Sequence, residues 1–147
     1  MSRALRYERL IHASPERVFD AFMSQEGQRG IYGQDEPGWI VESHCDLRVG
    51  GTWSVSFGPE PGRLYQHHNV FEEIDRPHRV RMTTTEIRLD GSQLVIDVEF
   101  AFEARGEATL MTMTQSGFPT DELRDEHAVG VPTAFDNLER VLTGSAP

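Results

Sequence analysis

The stretch Gln93-Leu94-Val95-Ile96-Asp97-Val98-Glu99-Phe100-Ala101-Phe102 decides the fold. Leu94, Ile96, Val98, Phe100 and Phe102 alternate with Gln93, Val95, Asp97, Glu99 and Ala101. A period of two sustained over this length is that of a β-strand with one face buried and one in water. Asp90-Gly91 before it is a two-residue hairpin signal, and Arg105-Gly106 after it turns the chain into a further strand, Ala108 to Ser116, with Met111 and Met113 on one face.

On the N-terminal side the same period continues back to Trp39. Trp39 to Asp46 reads as a strand, Gly50-Gly51 as a turn, and Thr52 to Phe57 as a strand with Trp53, Val55 and Phe57 together. Pro59-Glu60-Pro61-Gly62 is a turn, Arg63 to Ile74 a long strand ended by Asp75-Arg76-Pro77, and Val80, Met82 and Thr84 face one way in the next. Ala4 to His12 alternates as well, with Leu5, Tyr7, Arg9 and Ile11 on one face. Ser14-Pro15-Glu16 then supplies an N-cap, a proline at the first helical position and an acid in the first turn. The short helix that follows is expected to end near Ser24 to Gly27, and Gln28 to Gly38 to be a loop or one weak helical turn around Ile31 and Tyr32. On the C-terminal side, Thr120 is a helix cap. Leu123, His127, Val131, Phe135, Leu138 and Leu142 recur every three to four residues, so a long helix runs to about Leu142. Pro132 removes one backbone donor inside it, which predicts a kink or break beside Gly130-Val131.

At 147 residues the chain has the length of one domain, residues 1–147, and can fold on its core alone. The formal charge is -10, which argues against nucleic acid and anionic membrane as partners. All 14 basic residues are arginine, so lysine Schiff-base, lysine general-base and P-loop chemistry are excluded. The single cysteine, Cys45, allows no internal disulfide. Neither a secretory signal pattern nor an apolar run of membrane-spanning length occurs, and a cytoplasmic location is expected.

Short links between consecutive strands imply antiparallel pairing. Seven strands at ~4.8 Å make a sheet roughly 29 Å wide, whereas a helix is about 10–12 Å across. One helix cannot cover such a sheet if it is flat. The sheet has to curl around the helix, and incomplete closure leaves an apolar cavity, the usual place for a small-molecule site.

Ala13-Ser14-Pro15-Glu16-Arg17-Val18-Phe19, Asp46-Leu47-Arg48-Val49-Gly50-Gly51-Thr52-Trp53 and Glu73-Ile74-Asp75-Arg76-Pro77-His78-Arg79-Val80 resemble elements of one family. So do Gly106 to Thr114, Gly117-Phe118 and His127 to Leu142. The family is the activator of Hsp90 ATPase homologue 1-like (AHSA1-like) branch of the START/Bet v 1 (SRPBCC) superfamily. The resemblance implies an α+β helix-grip fold. A curved seven-stranded antiparallel sheet wraps a long C-terminal helix, with one or two short helices after the first strand. It also implies the company of ligand carriers, cyclases and chaperone-associated, stress-linked proteins on one scaffold. The sequence departs from the branch where a tryptophan commonly follows the helix glycine, since Val131 and Pro132 follow Gly130. A second departure is Gly30-Ile31-Tyr32-Gly33, in place of a tryptophan-rich segment.

The expected function is binding of a small, mostly apolar molecule in the sheet-helix cavity without catalysis. A stress- or chaperone-associated interaction protein and a cyclase- or hydrolase-type enzyme using a cavity histidine are the alternatives. Tyr65, His67, Asn69 and Phe71 share a strand face, and its two aromatics make it the inward one. Tyr65 and His67 are then polar anchors for the ligand. His127 shares the helix stripe with Val131 and Phe135. Trp39, Trp53, Met82 and Met113 sit at apolar strand positions, as core first and cavity wall second. With Tyr32 and Thr84 these complete the expected ligand-binding set: Tyr32, Trp39, Trp53, Tyr65, His67, Phe71, Met82, Thr84, Met113, His127, Val131 and Phe135. No metal or cofactor is expected: His67 and His68 point to opposite faces, and no histidine pair has zinc spacing. A homodimer is left open.

Overall fold

The computed structural model describes residues 3–31, 40–60 and 63–143; Tyr32 and Trp39 lie outside them. The strands are β1 (Arg3–Ile11), β2 (Ile40–Cys45), β3 (Thr52–Glu60), β4 (Arg63–Asp75), β5 (Arg79–Ile87), β6 (Gln93–Arg105) and β7 (Ala108–Phe118). The helices are α1 (Pro15–Met23), α2 (Gln25–Ile31) and α3 (Asp121–Thr143). The strands form one antiparallel sheet in the order β1-β7-β6-β5-β4-β3-β2. It is a meander from β2 to β7 with β1 returned to the far edge. The helices cover one face, as the helix-grip expectation requires. No helix among the described residues is long and apolar enough to cross a membrane.

The deciding strand behaves as its alternation predicts. Leu94, Ile96, Val98, Phe100 and Phe102 are buried, and the core spreads from them to Val80 and Met82 on β5 and Met111 and Met113 on β7. Phe19 and Phe22 of α1 pack their rings on Phe102 and Phe100 at 5.4 and 4.5 Å. Burial of each such side chain contributes about 1.5–3 kcal/mol. Both helix caps form as read: Ser14 Oγ accepts from Arg17 N at 3.3 Å, and Thr120 Oγ1 accepts from Leu123 N at 3.2 Å.

Three local expectations are corrected. The polar segment after α1 opens with a second helix, α2, of two turns rather than a loop or a weak turn. Its anchor is Gln28, fully buried and accepting from Ser43 Oγ at 2.9 Å. Gly27 lets α2 approach α1, because a Cβ there would lie 1.8 Å from the Ala21 carbonyl oxygen. The connection at Asp90-Gly91 is longer than two residues, with Arg88 N bonded to Ser92 O at 2.9 Å. Finally, α3 runs without a break through Pro132. A missing donor costs one backbone bond, whereas Val131, Phe135 and Leu138 are buried on both sides of it and keep the helix seated on the sheet.

Candidate functional site

Between the sheet and α3 lies a cavity of about 450 Å³. Its floor is Phe57 and His67 from β3 and β4, Phe100 from β6, and Met113 and Gln115 from β7. Phe22 and Ile31 of the short helices close one side. His127, Gly130, Val131, Thr133, Ala134, Phe135, Asn137 and Leu138 of α3 form the roof. The exposed Gly130 and Thr133 mark where it reaches the surface. This volume falls within the range of small-molecule sites, and the wall has the expected mix of mostly apolar side chains with a few polar groups.

The polar corner is built from three elements. Glu86 faces inward on β5, in step with Val80, Met82 and Thr84, and is buried. His127 Nε2 lies 2.7 Å from Glu86 Oε2, and His67 Nε2 lies 3.4 Å from the same oxygen. His127 Nδ1 is 2.9 Å from the backbone oxygen of Leu123, which can only accept. Nδ1 of His127 thus faces an acceptor and Nε2 faces the Glu86 carboxyl, an arrangement that suits a charged imidazolium-carboxylate pair. Burial alone would push the Glu86 carboxyl up, but the bonds from His127 and His67 outweigh it and hold the group well below the usual carboxylate range. The same pair raises His127 above the ordinary histidine value, against the opposing effect of burial. His67 also packs edge-on against Phe57 at 5.2 Å, and Phe118 lies 5.2 Å from the His127 ring.

Of the residues expected at the site, His67, Met113, His127, Val131 and Phe135 line this cavity. Trp53, Tyr65, Phe71, Met82 and Thr84 do not, and the reasons are physical. Trp53 is buried against Phe22 at 5.9 Å, with Nε1 donating to Ser43 Oγ at 3.3 Å. Tyr65 stacks on the wall residue Phe57, at 5.6 Å. Phe71 and Met82 are sealed in the core at 1% and 2% exposure. Thr84 donates at 2.5 Å to Asn69 Oδ1, whose Nδ2 donates to Trp53 O at 3.0 Å, so the hydroxyl serves the sheet. Glu86 was absent from the expected set. Its signal was an acid at an apolar-face position of β5.

A second inward charge secures the roof. Arg9 on β1 donates to Asp136 Oδ1 at 2.5 Å, Glu139 Oε1 at 3.2 Å and Tyr7 Oη at 2.6 Å. Its guanidinium lies 5.7 Å from the centre of the Phe135 ring. Edge strand and roof helix are thereby tied together beside the cavity. At the hairpin before β3, Arg48 Nε donates to Asp46 Oδ2 at 2.7 Å.

A curved antiparallel sheet gripping one long helix, with an apolar cavity between the two, defines a helix-grip protein of the SRPBCC class. Within that class the family model described as "Activator of Hsp90 ATPase homolog 1-like protein" matches residues 12–143. The chain belongs to that family. Solved structures agree at the level of fold. A Rhizobium leguminosarum protein is 22% identical, with 99% of this chain and 97% of that one covered and a TM-score of 0.81. A Chromobacterium violaceum protein is 20% identical over 95% and 96%, with a TM-score of 0.80. An AHSA1-like protein from Aeromonas hydrophila is 19% identical over 97% and 93%, with a TM-score of 0.75. No curated protein matches the chain.

Proposed function

We propose that this protein is a cytoplasmic, non-catalytic binder of a small, mostly apolar molecule held between the sheet and α3. The observation that carries the reading is the cavity of about 450 Å³, walled mainly by Phe22, Phe57, Phe100, Met113, Val131 and Phe135. A shaped apolar hollow costs dispersion contacts that solid packing would have kept, and an occupant restores them.

The enzymatic alternative draws less support. A general base needs a lone pair directed at the substrate; both nitrogens of His127 are engaged with Leu123 and Glu86, and the Nε2 of His67, the other cavity histidine, faces Glu86 Oε2 at 3.4 Å. The chaperone-associated alternative needs a contiguous apolar surface. The exposed outer-face residues Leu10, Val70 and Val95 are separated in the sheet by Thr83, Thr85 and Asp97 among others.

The test is native mass spectrometry of the purified chain for a co-purified mass, together with titration by the apolar fluorophore N-phenyl-1-naphthylamine. Saturable binding at one site per chain is expected. Absence of both a retained mass and saturable fluorescence would overturn the reading.

A further inference from the structure

Gly130 is a glycine in the interior of α3, where glycine is the least favourable ordinary residue after proline. Packing gives no reason for it. A Cβ built at this position meets no heavy atom within 4 Å, in contrast to Gly27, where the neighbouring backbone forbids one. Nor does the backbone require it, since its φ is not in the left-handed region, unlike that of Gly50, Gly91, Gly106 and Gly117. What does distinguish Gly130 is its place: it is exposed and it lines the cavity.

The cavity-facing residues of α3 fall into two rows at helical spacing. One row, His127, Val131, Phe135 and Leu138, is half-buried to buried and points at the floor. The other holds the exposed Gly130 and Thr133 together with the half-buried Ala134 and Asn137. Asn137 is held in place by donating to Ile31 O at 2.8 Å, so that end of the row is pinned to α2. At the other end, Arg88 bonds Glu126 at 2.9 Å and Glu86 bonds His127, which pins the preceding turn of α3 to β5. Between these two moorings, residue 130 is exposed, lines the cavity and leaves open space where a side chain would stand.

We infer that Gly130 is the portal residue of the cavity, the position whose lack of a side chain determines what size of molecule can enter. The inference rests on the reading of the cavity as a ligand site and adds the route by which the ligand arrives. A portal controls the rate of entry. A wall residue controls how tightly the bound molecule is held, and kinetics separates the two.

The experiment is stopped-flow mixing of N-phenyl-1-naphthylamine with the wild-type chain and with G130A and G130F. G130A is expected to melt at a higher temperature than wild type, because alanine favours the helix and meets no neighbour, and to slow probe uptake less than G130F does. G130F is expected to fold, since its Cβ has open space, and to take up the probe about tenfold more slowly or worse. Should G130F fail to fold, T133F, at an exposed position on the same rim, carries the same expectation. Uptake by the filled-rim variant at the wild-type rate overturns the inference and leaves the cavity reading standing. So does a weakened affinity with an unchanged association rate, because residue 130 would then belong to the wall. If the wild-type chain itself binds no probe, the cavity reading falls and the portal falls with it.

Discussion

His127 Nε2 lies 2.7 Å from Glu86 Oε2, joining α3 to the middle of the sheet across 41 residues of sequence. The pair is largely buried, with side-chain exposures of 15% and 10%, and each partner shifts the other toward its charged form. Its protonation is therefore linked to folding.

Two titrations bound its contribution. His127 is raised in the folded chain, so its stabilisation is full below the ordinary histidine value and is lost as pH rises through the folded one. Glu86 is lowered, so its stabilisation is full above the ordinary glutamate value and is lost as pH falls toward the folded one. The pair should contribute most between about pH 4.5 and 6.5. Melting temperatures of wild type and E86Q across pH 4 to 9 should differ most in that window and converge on its alkaline side. A constant difference would show that the pair is not ionic.

Removing the acceptor outright should be worse than replacing it. E86A leaves the buried His127 ring facing a void and is expected to cost roughly 2–4 kcal/mol in urea unfolding. E86Q keeps an acceptor oxygen and should lose about half as much.

Arg9 should matter more than a surface arginine. It is only 21% exposed and bonds Asp136, Glu139 and Tyr7 at once. R9M keeps the apolar stem and loses the bonds, so a loss of about 1–2 kcal/mol is expected. An effect within the error of urea unfolding would show that the clamp adds nothing to stability.

Thr84 separates stability from binding. T84V removes the donor to the buried Asn69 Oδ1 and should destabilise by about 1–3 kcal/mol. Because Thr84 does not line the cavity, the affinity for N-phenyl-1-naphthylamine should stay within about twofold of wild type. V131F, which puts a ring into the cavity roof, should do the reverse and abolish probe binding. If T84V weakened the probe as strongly as V131F, the site would have to extend to β5.

The amino-acid order by itself determined the strand ladder, the helix caps and the sheet-on-helix architecture, because these depend on periods of two and 3.6 and on local capping chemistry that act over a few residues. It also placed His67 and Met113 on inward faces and His127, Val131 and Phe135 on one helix stripe. Alternation says which way a side chain points, but not what stands opposite it. Only the tertiary structure decided that Phe71, Met82 and Thr84 are sealed while their face-mates His67 and Met113 line the cavity, since that depends on how the helices settle on the sheet. The meeting of Glu86 with His127 and the continuity of α3 through Pro132 belong to the same category. Both arise from contacts between elements distant in sequence, where the energy of packing one element on another outweighs the local preference of either.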